Sequence, residues 1–124
     1  MSSTSIQAKM FKAVSASTTA IAGVQSKSGA ADMTLTGSAV NDGSNMSTTV
    51  TLTSASNNAS VGFTITGTDA SGNAASETIG TGPNSNTVTG STKFLTVTKI
   101  SHDATIAAVS AGFTATTDTT GIVF

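Results

Sequence analysis

Residues 63–90 read FTITGTDASGNAASETIGTGPNSNTVTG. Phe63 and Ile65 alternate with Thr64 and Thr66, which is the period of a half-buried strand. Asp69-Ala70-Ser71-Gly72-Asn73 follows, and then a second apolar position at Ile79. This is the chemistry of a hairpin turn. Asp69 accepts backbone N–H bonds at its first position, Gly72 supplies the left-handed residue, and Asn73 opens the return strand. The sole proline, Pro83, lies in GTGPNSN and reads as a turn residue rather than a strand breaker. The stretch therefore predicts two antiparallel strands and a connection between edge strands.

Outward from this hairpin the same period recurs. Val50 and Leu52 alternate with threonines in TTVTLTS, and Met33 and Leu35 do so in MTLTGSAV. Val88 marks a strand in NTVTG. In KFLTVTKISH, Leu95 and Val97 share a face but Ile100 is out of phase, so a bulge near Lys99 is expected. TIAAVSAGF offers Ile106, Ala108 and Phe113 in one or two short strands. Threonine suits such strands: its β-branch fits the pleat and its hydroxyl keeps the solvent face polar. Roughly seven strands separated by turn signals predict an all-β fold, a small antiparallel β-sandwich or barrel of immunoglobulin-like or jelly-roll-like type.

Residues 1–30 differ. They are rich in Ser, Ala and Thr, with apolar residues scattered among them. Met10, Phe11 and Val14 fit one short helical face. The division expected is an irregular N-terminal arm over 1–30 and a β-domain over 31–124. The arm is open to three readings: a mobile tail, an anchor that docks on a neighbour through Met10, Phe11 and Ile21, or an amphipathic membrane helix. The last lacks the usual basic density on its polar face.

Composition narrows function by exclusion. The formal net charge is −1, 9% of residues are charged, and the five lysines are scattered with no arginine. Nucleic-acid surfaces need clustered cationic side chains, so no nucleic-acid partner is expected. No run approaches the roughly 18 apolar residues of a membrane span, and the N-terminus has no signal-like apolar core, so no membrane partner is expected either. Without cysteine there is no disulfide or thiolate chemistry. Ser and Thr number 44, whereas Val, Ile, Leu, Met and Phe together number 28. So thin a core with so little surface charge fits a chain that completes its burial against copies of itself or a larger assembly.

The candidates for chemistry are few. Asp69, Ser71 and Asn73 match the first, third and fifth positions of a calcium loop, but the sixth is Ala74 and the twelfth Gly80, where glycine and glutamate belong. His102-Asp103 are adjacent, and neighbours on a strand point to opposite faces, so neither orients the other as a catalytic pair; a surface histidine at a strand end is expected. One histidine without cysteine makes no standard zinc site. The six carboxylates, Asp32, Asp42, Asp69, Glu77, Asp103 and Asp118, are all expected in turns or at strand ends. GTGPNSNTVTG lacks the lysine and following helix of a phosphate loop. No enzymatic activity, cofactor or metal is expected.

The order MTLTGSAV, FTITGTD-x-x-GN, SETI followed by Gly-Pro-Asn, and K-F-x-TVT-x-I before a short VSAG strand resembles a widespread family of small virion proteins of tailed bacteriophages. The resemblance covers residues 33–113. The chain departs from it in having little sequence after 113, with no room for an appended receptor-binding module, and in Gly80-Thr81 before Gly-Pro-Asn. The resemblance implies a decoration (cement) protein on the capsid exterior, made in the host cytoplasm. Its partners would be the major capsid protein and further copies of itself, as a dimer or trimer. TDxxGN turns also occur in bacterial immunoglobulin-like adhesin domains, which gives a second reading as a tail-associated, fibre-associated or adhesin-type binding module.

Overall fold

A computed structural model describes residues 16–36 and 48–114. Its strands are β1 Ser17–Lys27, β2 Ala31–Asp32, β3 Thr48–Asn57, β4 Phe63–Thr68, β5 Ala74–Ile79, β6 Asn84–Phe94, β7 Thr96–His102 and β8 Ile106–Phe113. Among the described residues there is no helix. All strand pairs are antiparallel, in two four-stranded sheets ordered β1-β8-β3-β6 and β2-β7-β4-β5.

The pairing has a simple logic. β4 pairs with β5, β3 with β6, β2 with β7 and β1 with β8, so the chain is one long hairpin nested about the 69–73 turn. That hairpin then rolls up, adding the β3–β8 and β4–β7 pairs. This is the strand order of a jelly roll. An immunoglobulin sandwich instead keeps its first two strands side by side in one sheet. Here β1 and β2 lie in different sheets. The sheets pack face to face and do not close into a barrel.

Alternation builds the core. Phe63 and Ile65 on β4, Val50 and Leu52 on β3, and Phe94, Val97, Ile100 and Val109 are fully buried between the sheets. At roughly 25 cal/mol per Å² of apolar surface, each such side chain contributes about 1.5–3 kcal/mol. On β7 the pairing steps from Thr66↔Lys99 to Gly67↔Val97, which leaves Thr98 as an extra residue. The bulge therefore falls beside Lys99 and brings Val97 and Ile100 to the same interior. Gly67 opposite it must be glycine, because a Cβ there would land on the Thr96 carbonyl.

Two expectations need correction. Residues 17–27 are not part of an irregular arm: they form β1, the edge strand of the first sheet. Ile21 is not an outward anchor, because it is fully buried in the core together with Ala22. The physical reason is the irregular register of β1 against β8. Its three register shifts let two consecutive residues turn inward, which hides the strand period. Met10 and Phe11 lie outside the described residues.

Candidate functional site

The 69–73 turn is an internally satisfied hairpin. Asp69 Oδ1 accepts from the backbone N–H of Ser71 at 2.9 Å and of Asn73 at 3.0 Å. The Gly72 N–H donates to the Asp69 carbonyl at 3.0 Å, and the Asp69 N–H to the Asn73 carbonyl at 2.9 Å. Gly72 has φ +81°, the left-handed region that favours glycine. The carboxylate is thus engaged by its own turn, and no cluster of three or more His, Cys, Asp or Glu that could hold a metal occurs among the described residues.

Glu77 sits in the middle of β5 and not in a turn or at a strand end, a correction to the expectation for the six carboxylates. Its side chain crosses from the second sheet to the first. Oε2 accepts from the Ser91 N–H at 2.5 Å, the Ser91 hydroxyl at 3.0 Å and the Thr92 N–H at 3.1 Å. Those amides are adjacent because β6 is irregular here: the β3–β6 register shifts between Thr49↔Lys93 and Thr51↔Thr89. A bulge points successive N–H groups the same way, and a carboxylate is the natural acceptor for them. Glu77 Oε1 is buried without a partner over Gly90, whose missing side chain leaves it room.

His102 is also a correction. It is 3% exposed, not a surface residue. The register pairs it with Phe63, and the two rings lie 6.3 Å apart between the sheets. Nδ1 lies 2.8 Å from the Ala104 carbonyl, which makes it the protonated nitrogen, and Nε2 is buried without a partner. Asp103 lies just past the end of β7 and faces elsewhere: its Oδ1 accepts from the Gly62 N–H at 2.8 Å. Asp32 stands 3.9 Å from Lys99 on the surface. Asp42 and Asp118 lie outside the described residues.

Sequence reasoning missed Asn58, the polar hub of the fold, which is 2% exposed. Its Oδ1 accepts from the Ala107 N–H at 2.9 Å, and its Nδ2 donates to the Ala107 carbonyl at 3.1 Å and to Ser54 Oγ at 3.0 Å. Its backbone N–H donates to the carbonyl of Pro83 at 2.8 Å. The side chain thereby ties β3 to the start of β8, and the backbone of the same residue ties both to the β5–β6 connection. Pro83 is buried in that connection. The signal in the sequence was weak, since Asn57-Asn58 looks like any turn.

The outer faces are tiled with hydroxyls. Thr68 and Thr96 Oγ1 atoms lie 2.6 Å apart on the second sheet, and Thr53 and Thr87 lie 2.8 Å apart on the first. At the Phe113 end of the first sheet, a groove of about 650 Å³ runs between Ser17–Thr19 and Thr51, Thr87 and Thr114, with no ionisable side chain lining it. Compared with protein families, curated proteins and solved structures, the chain gave no match.

Proposed function

We propose that this chain is a structural virion protein of a tailed bacteriophage that binds the capsid exterior as a decoration protein and stabilises the head. The observation that carries the reading is how the described carboxylates are used. Asp69, Glu77 and Asp103 bind backbone N–H groups of their own chain, and the surfaces between them present threonine and serine hydroxyls with few charges. Such a surface suits packing against a large neutral partner better than it suits turnover of a substrate. The resemblance over residues 33–113 and the jelly-roll order, an architecture shared with viral capsid domains, support the same reading by analogy. The partners are the major capsid protein and further copies of this chain, and the location is the capsid surface.

The test is to add purified protein to particles assembled without it. Co-sedimentation with the particles, and a rise in their resistance to heat, are expected. No binding together with a hit on a glycan array would favour the tail-associated or adhesin-type reading instead.

A further inference from the structure

We propose that two copies of this chain join through β5, edge to edge and antiparallel about a two-fold axis, to make one continuous eight-stranded sheet. The proposal deepens the self-association in the functional reading and rests on that part of it. A free strand edge presents unpaired N–H and C=O groups and templates another strand, so folded proteins guard their edges. Three of the four edges here are guarded. Along β1, the Thr36 N–H donates to the Ile21 carbonyl at 2.8 Å, and the Gln25 amide accepts from the Thr34 N–H and donates to the Thr34 carbonyl. β2 is two residues long, and Lys27 Nζ donates to the Asp32 carbonyl. β6 pairs in three short runs, at Lys93–Phe94, over Asn86–Thr89 and at Asn84, with a register shift between each. Glu77 covers its amides at 91 and 92, and Ser85 at its start has φ +53°.

β5 has none of these devices. Its six residues pair with β4 in unbroken register, from Thr68↔Ala74 to Phe63↔Ile79. It contains no proline, no lysine and no bulge. Among the described residues nothing hydrogen-bonds to the backbone on its free side. Its sole charge, Glu77, is turned toward β6.

A second copy is the occupant because, of the two registers that pair five of the six β5 residues with their copies, centred on Ser76 and on Glu77, one is self-complementary. Residues facing each other across an antiparallel pair share a face, so a two-fold axis normal to the sheet passes midway between the two copies of one residue. An axis at Glu77 sets two carboxylates opposite each other, which is destabilising. An axis at Ser76 sets Glu77 opposite Ala75 of the second copy, Thr78 opposite Ala74, and Ser76 opposite itself. The last pair is two hydroxyls, each able to donate and accept.

The chain has no cysteine, so a single introduced thiol reports this register directly. Residues directly opposite have Cβ atoms about 5 Å apart, close enough for a disulfide after small adjustment. Ser76→Cys should become a covalent dimer on mild oxidation. Thr78→Cys, whose copies would be about 14 Å apart, should stay single-chain. Ser76→Lys, at an exposed position, should convert the dimer seen by analytical ultracentrifugation to a monomer with an unchanged circular dichroism spectrum. A monomeric parent chain overturns the proposal. So does an oligomeric parent in which Ser76→Cys fails to cross-link and Ser76→Lys changes nothing, and in that case self-association through another surface still stands. Cross-linking without particle binding would leave the β5 pair intact and reject the capsid reading.

Discussion

The Glu77 carboxylate of one sheet closes on the Ser91 amide of the other at 2.5 Å, and so bridges the two layers along one open side of the sandwich. The bond depends on two sequence features far apart from each other: an acidic residue on the inner side of β5, and a bulge in β6 that turns neighbouring amides toward it. Glu77→Ala should lower unfolding free energy by about 1–3 kcal/mol, because it leaves donors at Ser91 and Thr92 without their acceptor. Urea denaturation with an unchanged slope would measure it.

Gly90 makes a companion test. A Cβ at this position would collide with the Glu77 carboxylate, so Gly90→Ala should displace the clamp. The double variant with Glu77→Ala should then cost clearly less than the two single changes added together. Simple additivity in the double-mutant cycle would show that Gly90 acts independently of the clamp.

Asn58→Ala should be among the most damaging polar substitutions in the chain. It strips partners from the Ala107 N–H and carbonyl and from Ser54 at a site that is 2% exposed. A loss of about 2–4 kcal/mol is expected, from more than one buried group left unsatisfied. Thermal melting would register it as a fall on the order of 10 °C.

At the hairpin tip, Asp69→Ala should cost about 1 kcal/mol, the size of a lost cap. The melting temperature of the parent chain should be the same in calcium and in chelator, since Asp69 already serves two amides of its own turn. A calcium-dependent rise would instead make the turn a metal site.

The parts of this fold legible in the sequence are those where side chains alternate without interruption. β4 and β5 alternate strictly, β3 departs from alternation only at buried Thr51 between Val50 and Leu52, and the 69–73 turn carries its own chemistry. β1 was illegible because its register shifts put Ile21 and Ala22 inside together and because small residues mask its apolar face. β8 hides its period for a related reason. Ala108 has φ +50°, and from Val109 to Phe113 every residue is buried. The choice of jelly roll over immunoglobulin order depends on partners far apart in the chain, which local patterns do not encode. His102 was misplaced because a position at a strand end reads as exposed, whereas its register with Phe63 sends the ring inward.

The nesting of strands about the 69–73 turn has a kinetic consequence. Sheets made from distant segments ordinarily fold slowly, since each pairing must close a long loop. In this chain, once β4 and β5 meet, the ends that become β3 and β6 are already near each other, and every later pair inherits the closure made before it. Assembly can run like a zip from the tip toward Ser17 and Phe113. Weakening the tip with Asp69→Ala would then slow refolding, whereas weakening the Glu77 clamp would mainly speed unfolding, a contrast that stopped-flow chevrons resolve.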